Sequence, residues 1–404
     1  MKKHILIAGG GTGGHLFPGI AIAEAFMAEN PKNRILFVSD GKHKVKSVLS
    51  KRGFQHECIT IEGLKRRGPR NQLMAALKIP VGIFESVRIL RHFKPDLVIG
   101  LGGYSAGPVV IAAWLLGIKI VLQEQNVLPG ITNRILSSFA DRIYVSFPNS
   151  KFKIRNPKKI CFTGNPVRKE FQASNIKCQA SNIKHQTSNI KHQTSNIKHQ
   201  ASNIKHQTSN IKHQTSSIKH QASNIKFTVM IVGGSQGAHS VNMAVTEAID
   251  HIKDKDRFLF VHQTGEDDAE TVKEAYANQG ITCTVSPFFD DMARQYQKAD
   301  LLICRAGATT VAEVTAVGKG AIFIPYPYAA DNHQVLNAQT LTKADAAEMI
   351  LQKDISGKML ADKIEYYASN PEQLEKMESR AKLLGRPRAA EAIVGDCYNL
   401  MFDV

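Results

Sequence analysis

Four times along this chain a short apolar run ends in a glycine-rich turn. His4–Ala8 runs into Gly9–Gly14, and the run ending at Gly100 into Gly102-Gly103-Tyr104-Ser105-Ala106-Gly107-Pro108. Phe227–Val232 runs into Gly233-Gly234-Ser235-Gln236-Gly237, and Leu301–Cys304 into Arg305-Ala306-Gly307-Ala308-Thr309-Thr310. A strand that stops at glycine and restarts as a helix lets backbone N–H groups approach a phosphate while the helix points its positive end at it. One such turn is a tight connection that any α/β protein can contain; four, two in each half, predict a cleft built for a phosphate-bearing ligand.

The rest of the chain follows the same grammar. Before the middle, His4–Ala8, Arg34–Ser39, Asp96–Gly100, Lys119–Leu122, Arg142–Val145 and Lys159–Phe162 read as buried strands, with helical periodicity over Ile20–Glu29 and Val81–Phe93. After it, Phe227–Val232, Arg257–His262, Ile281–Ser286, Leu301–Cys304 and Ala321–Pro325 repeat the pattern. At 404 residues, two doubly wound parallel α/β domains are predicted. The expected boundaries are 1–168 for the first domain, 169–226 for a connection, 227–385 for the second domain, and 386–404 for a last helix that packs back on the first.

The connection is unusual. From Ala173 to Lys226 a unit close to A/T-S-N-I-K-H-Q recurs seven times in full and once in part. Only the isoleucine of each unit is apolar, so no second core position exists to make a coiled-coil seam. It is expected to be a soluble linker. Its regular histidines (His185, His192, His199, His206, His213, His220) suggest metal, and its lysines nucleic acid. Neither a close ligand cluster nor interleaved aromatics accompany them, so no metal and no nucleic acid is expected. Removing the eight lysines of the repeat from the formal charge of +17 leaves +9, still basic enough to favour an anionic partner.

The six cysteines are scattered without a C-x-x-C pair, which fits a reducing compartment. The longest apolar stretch, Pro108 to Leu116, is well short of the roughly 20 residues that span a bilayer. Gly9-x-Gly11-x-x-Gly14 with Asp40 after the second strand also fits a nicotinamide dehydrogenase, which leaves the second domain's glycine turns unexplained.

Taken together, "GGTGGHLFPG" (Gly10–Gly19), "LGGYSAGP" (Leu101–Pro108), "LQEQNVLPGITNRIL" (Leu122–Leu136), "TGNPVR" (Thr163–Arg168), "VGGSQGA" (Val232–Ala238), "CRAGATTVAEV" (Cys304–Val314) and "DNHQVLNA" (Asp331–Ala338) closely resemble the MurG-type family of UDP-N-acetylglucosamine transferases. The motifs come in that family's order and cover nearly everything outside the repeat. The resemblance implies two Rossmann-like domains facing across a cleft, the GT-B glycosyltransferase architecture. It also implies inverting transfer of N-acetylglucosamine from UDP-N-acetylglucosamine to the C4 hydroxyl of undecaprenyl-diphosphate-linked N-acetylmuramoyl-pentapeptide.

By the same resemblance, Glu313 holds the ribose hydroxyls and the backbone of Phe289 reads the uracil edge. Ser235 with Ala308, Thr309, Thr310, Val311 and Ala312 surrounds the diphosphate. Asn126 and Gln334 contact the sugar, and Thr12, Gly13, Gly14 and Arg168 complete the donor contacts. Gly102, Gly103 and Tyr104 belong to the acceptor side, and the Thr12–Gly14 turn suits the acceptor's diphosphate as well as the donor. His15 is the leading general base, since an imidazole at a helix N-terminus is held neutral near pH 7, although the same position equally suits a donor to substrate phosphate, and Glu124 is the reserve. No cofactor is implied. Asp254-Lys255-Asp256, the D-x-D of this chain, lies in a charged connection, and metal independence is expected.

A last implication is location at the cytoplasmic face of the bacterial inner membrane, as a peripheral protein on an anionic surface. Leu73, Met74, Leu77, Ile79, Ile83 and Phe84 near Lys78, Arg88 and Arg91 suit a helix seated on anionic lipid, and Trp114 matches the same patch. An ordinary amphipathic helix has the same periodicity.

Overall fold

The computed structural model describes residues 2–41, 43–62, 69–152, 154–172, 226–234 and 237–402, with backbone alone at 44 and 69–77. Ser235, the side chains of Leu73, Met74 and Leu77, and the repeat with its histidines lie outside the described residues.

The first half alternates strand and helix: β1 (His4–Ala8), α1 (Gly13–Glu29), β2 (Arg34–Ser39), α2 (His43–Lys51), β3 (Gln55–Cys58), α3 (Pro69–Phe93), β4 (Leu97–Gly100), α4 (Ala106–Leu115), β5 (Lys119–Glu124), α5 (Ile131–Leu136), β6 (Arg142–Val145) and β7 (Ile160–Phe162). Its parallel sheet has the order β3-β2-β1-β4-β5-β6-β7. The second half repeats this with β8 (Phe227–Val232), α6 (His239–His251), β9 (Phe258–Gln263), α7 (Ala269–Asn278), β10 (Cys283–Ser286), α8 (Met292–Lys298), β11 (Leu301–Cys304), α9 (Ala308–Val317), β12 (Gly320–Phe323), α10 (His333–Thr342) and β13 (Glu348–Met349). Its parallel sheet has the order β10-β9-β8-β11-β12-β13. Central strands such as β1 and β11 are buried on both faces, which is why they read as unbroken apolar runs.

Strand order reverses between β1 and β4 in one sheet and between β8 and β11 in the other. The four glycine turns follow these four strands, so each pair flanks a switch point, where open α/β sheets bind ligands. In the first sheet the pair is in contact: Gly9 has φ +118°, and a Cβ there would lie 2.7 Å from the Gly102 carbonyl oxygen.

Three helices end the chain: α11 (Gly357–Ser369), α12 (Pro371–Leu384) and α13 (Ala389–Phe402). The last crosses back to the first domain. Ile393, Val394, Cys397 and Leu400 join the core around α1, Tyr398 packs on Phe26 with ring centroids 5.7 Å apart, and the Tyr144 hydroxyl donates to Asp396 at 2.8 Å.

Several element bounds differ from the sequence expectation. Helix α1 begins at Gly13 rather than near Ile20, and α3 at Pro69 rather than Val81, because Pro18 and Pro80 sit inside helices instead of starting or stopping them. Strand β3 went unpredicted because its sequence, Gln-His-Glu-Cys, shows no apolar alternation. It is an edge strand and largely exposed.

Candidate active site

The N-termini of α1 and α9 meet across the cleft. Thr309 Oγ1 donates to the carbonyl oxygen of Gly14 at 3.2 Å. Local sequence makes that oxygen available: in a helix it would accept from the N–H four residues on, and that residue is Pro18, which has none. Ala308, Thr309, Thr310, Val311 and Ala312 form the first turn and a half of α9, with Gly307 as N-cap. Thr12 is the N-cap of α1, followed by Gly13 and Gly14 in its first turn.

His15 also sits in that first turn. Its Nδ1 lies 3.0 Å from Thr12 Oγ1, and the ring is partly buried. Burial first, and the nearby charge of His333 second, push its pKa down to about 4, so the imidazole is neutral at pH 7. His333 opens α10 in the other domain, with Nδ1 2.7 Å from the Ala330 carbonyl oxygen. It follows two non-glycine residues in the left-handed region, Asp331 (φ +53°) and Asn332 (φ +52°). Asp331 is tied to the first domain by Arg134, 3.0 Å away.

Glu124 has a different setting from His15. It is buried, and its carboxylate accepts from Asn126 N–H (2.9 Å), Asn126 Nδ2 (3.3 Å), Gly130 N–H (3.1 Å) and Asn133 Nδ2 (2.9 Å). Burial raises its pKa, and these four bonds offset part of the rise. Four accepted bonds use the whole acceptor capacity of a carboxylate. Asn133 in turn lies against Gly102, which has φ +88° and where a Cβ would meet the Asn133 amide at 3.0 Å. Glu124 therefore shapes the loop under Gly102, Gly103 and Tyr104. The Tyr104 hydroxyl donates to Asp40, so the carboxylate that a dinucleotide would use for its ribose is engaged by a tyrosine of the neighbouring turn.

On the second domain, Glu313 projects from α9 and is 5% exposed. Arg168 Nε and Nη2 both donate to its Oε1, at 3.1 and 2.8 Å. The guanidinium lies over Phe17 (4.9 Å) and Phe171 (4.8 Å), which hold it in one place. Arg168 was expected among the donor contacts with its charge within reach of the diphosphate; here two of its five N–H groups are used on Glu313. Burial raises the Glu313 pKa, and Arg168 opposes the rise.

Phe289 is buried, and its N–H donates to Gln263 Oε1 at 3.2 Å, so the carbonyl is the backbone group it can offer a base. Gln334 Oε1 accepts from the Tyr326 N–H at 2.9 Å.

Asn126 is joined to a residue the sequence reading did not single out. Asn337, fully buried on α10, donates through Nδ2 to Asn126 Oδ1 (3.1 Å) and to the Ala306 carbonyl (3.2 Å), and accepts from the Val127 N–H (3.1 Å). One amide thus bolts the Glu124 loop of the first domain to the turn before α9. The only available signal was Asn337 following the short apolar pair Val335-Leu336 inside "DNHQVLNA".

Among the described residues no group of three His, Cys, Asp or Glu side chains is arranged to hold a metal ion, and Asp254 and Asp256 are exposed.

Family comparisons agree with this geometry. The description "Glycosyltransferase family 28 N-terminal domain" matches residues 5–145, and "Glycosyltransferase family 28 C-terminal domain" matches residues 228–393. A protein of Syntrophus aciditrophicus named UDP-N-acetylglucosamine--N-acetylmuramyl-(pentapeptide) pyrophosphoryl-undecaprenol N-acetylglucosamine transferase is 42% identical over 99% of both chains. One of the same name from Myxococcus xanthus is 39% identical over 98% of this chain and 93% of its own. The chain belongs to the MurG family of glycosyltransferases. MurG of Acinetobacter baumannii superposes with a TM-score of 0.71 at 27% identity, covering 98% of this chain and 99% of that one. A UDP-GlcNAc 2-epimerase of Neisseria meningitidis shares the fold (TM-score 0.63, 14% identity, 99% of this chain and all of that one). With MurG membership, the two facing Rossmann-like domains are those of a GT-B enzyme.

A second surface of this MurG-family chain is apolar. Phe84 (73% exposed), Val81, Trp114, Leu115, Ile131 and Ile135 project from α3, α4 and α5, which pack side by side, and the Trp114 ring packs tilted against Phe139 with centroids 5.0 Å apart. Ile79 and Ile83 were expected on this face but pack against the core, and Lys78 pairs with Glu62. No helix among the described residues is long and apolar enough to cross a membrane.

Proposed function

We propose that this protein transfers N-acetylglucosamine from UDP-N-acetylglucosamine to the C4 hydroxyl of N-acetylmuramoyl-pentapeptide carried on undecaprenyl diphosphate, with inversion. The observation that carries the reading is the meeting of the α1 and α9 N-termini with a neutral histidine at the seam.

The donor lies on the second domain. Its diphosphate takes the α9 N-terminus, with the backbone N–H groups of its first turn and the Thr310 hydroxyl, joined by Ser235, while the Thr309 hydroxyl proton is given to Gly14. A helix N-terminus carries about half a positive charge and stabilises an anion by up to about 2 kcal/mol in a partly buried site. Glu313 accepts from the ribose hydroxyls through Oε2, since Arg168 holds Oε1. Arg168 thus acts on the nucleotide through Glu313. Gln334 and Asn126 flank the sugar, and the Gly102–Tyr104 turn receives the acceptor.

His15 is the base. In the tautomer that donates Nδ1–H to Thr12 Oγ1, Nε2 carries the lone pair. A group with pKa about 4 holds no proton at pH 7 but is a weak base. The donor's diphosphate brings negative charge into the same cleft and raises that pKa toward the working range. Nε2 takes the C4 hydroxyl proton as the oxygen attacks the anomeric carbon from the face opposite the diphosphate. The bond from that carbon to the diphosphate oxygen breaks, and UDP leaves with the electron pair. Glu124 acts by holding the acceptor loop.

The apolar face of α3, α4 and α5 with Arg88 and Arg91 nearby suits a peripheral seat on anionic lipid, where the acceptor's chain is anchored. The test is UDP release from UDP-N-acetylglucosamine with and without lipid-linked muramoyl-peptide, in the presence of chelator. Acceptor-dependent release is expected to persist in chelator. Its absence overturns the assignment, and loss only in chelator overturns the metal-free route.

A further inference from the structure

Gln263 closes β9, which lies between β8 and β10 in the second sheet. In register it stands level with Val232 of β8 and Ser286 of β10. Two residues beyond Val232 the chain is in the Gly233–Gly237 turn, and three beyond Ser286 it reaches Phe289. The side chain is 1% exposed, and both ends of its amide are used: Nε2 donates to the Gly234 carbonyl oxygen at 3.0 Å, and Oε1 accepts from the Phe289 N–H at 3.2 Å. A buried amide that spends its donor on one loop and its acceptor on the next fixes the distance between them, because losing either bond strands a polar backbone group. The next residue of β9's exit reinforces this on one side. Gly237 (φ +78°) approaches Thr264 so closely that a Cβ there would lie 2.0 Å from the Thr264 carbonyl oxygen.

We propose that Gln263 is a positioning residue that sets the span between the turn meeting the donor's diphosphate and the loop meeting its base, and thereby selects a pyrimidine over a purine nucleotide. The inference rests on the donor site assigned above. In a nucleotide the distance from diphosphate to the near edge of the base is set by the ribose, whereas the depth needed beyond that edge differs by a ring between pyrimidine and purine. The Phe289 loop forms the far wall of that depth, and Gln263 holds the wall without touching the ligand.

The experiment is calorimetric titration of the full chain with UDP and with ADP, alongside steady-state rates at varied donor and varied acceptor, for the unaltered protein, Gln263→Leu and Gln263→Glu. Gln263→Leu is expected to weaken UDP at least tenfold and ADP much less, raising the donor KM while kcat stays within about threefold and the acceptor KM is unchanged. Gln263→Glu, which still accepts from the Phe289 N–H but cannot donate to Gly234, is expected to fall between. UDP affinity within twofold of the unaltered protein in both variants overturns the proposal, as does an equal loss for UDP and ADP. If Gln263→Leu does not fold, Gln263→Glu decides alone by the same criteria. Failure of the unaltered protein to bind UDP overturns the donor site and this inference with it, whereas UDP binding with unchanged selectivity in the variants overturns the inference only.

Discussion

Thr309 reaches from one domain to the carbonyl oxygen of Gly14 in the other, an oxygen that Pro18 leaves without its helical partner. The bond joins the N-termini of α1 and α9, which the proposed mechanism assigns to the acceptor and to the donor's diphosphate. Thr309→Val keeps the side-chain shape and removes the donor. A net hydrogen bond of about 1 kcal/mol corresponds to roughly fivefold in an equilibrium, so kcat/KM for transfer is expected to fall by about that factor. Pro18→Ala gives Gly14 an N–H partner within α1, and a fall in the same direction is expected while thermal stability holds or rises. Rates unchanged in both variants would show that the contact does not matter to turnover.

The Arg168–Glu313 pair is nearly sealed from water, with side-chain exposures of 11% and 6%. Removing one partner of such a pair strands a buried charge at a cost of about 3–5 kcal/mol, and replacing both by apolar groups costs much less. Arg168→Met is therefore expected to be less stable in urea than Arg168→Met/Glu313→Met. Only the donor KM separates the structural from the functional share. It should stay high in the double variant despite recovered stability, because the ribose contact is gone.

Proton uptake by His15 gives a sign that can be checked. Its folded pKa, about 4, lies below the ordinary 6.5, so the neutral form persists well below neutrality. The acid limb of kcat/KM, which reports the free enzyme, is expected near pH 4 and that of kcat higher, because bound diphosphate raises the pKa. His333→Ala removes the charge that opposes His15 protonation and should move the kcat/KM limb upward. A kcat/KM limb at pH 6.5 in the unaltered protein would contradict the assignment of His15.

Acid stability has a separate source. His262 is fully buried, with Nε2 donating to Asn242 Oδ1 and Nδ1 accepting from the Tyr276 hydroxyl, both at 3.1 Å, and its pKa is pushed down to about 3 by burial. The unfolded chain binds this proton below about pH 6.5 and the folded one does not. Its contribution is thus complete above pH 6.5 and lost as pH falls toward 3, roughly 3 kcal/mol by pH 4. His262→Gln should flatten the fall of urea midpoint with pH between 6.5 and 4. Preincubating enzyme at each pH before assay at pH 7 separates this unfolding from the titration of His15.

The apolar face of α3, α4 and α5 makes a claim about binding to lipid. Phe84→Ser with Trp114→Ser is expected to reduce sedimentation with vesicles containing anionic lipid by about tenfold or more, with UDP affinity unchanged. Equal sedimentation of altered and unaltered protein would remove the membrane role from this face.

The two sheets were legible in the sequence because buried parallel strands are continuous apolar runs punctuated by glycine, and the pattern needs no tertiary information. Edge strands β3 and β13 were not, because an edge has one neighbour and need not be apolar. His15, Glu313 and the α9 turn could be named from their motifs, but their relations could not. Nothing in "NPVR" says that Arg168 folds onto Glu313, and nothing in "QEQN" says that four donors converge on Glu124. Those facts depend on which loops the topology brings together. Gln263 and Asn337 were missed for the same reason: each is a polar residue in a stretch with other polar residues, ordinary until its partners in neighbouring loops are known.

Helix α13 supplies part of the core around α1, yet it is the last element of the chain. Chains grow from the N-terminus at about 5–20 residues per second, so roughly 240 residues must follow β7 before that core can close, a wait on the order of 10 to 50 seconds. The domain synthesised first is the one completed last. Until then the α1 surface destined for α13 stays open to solvent.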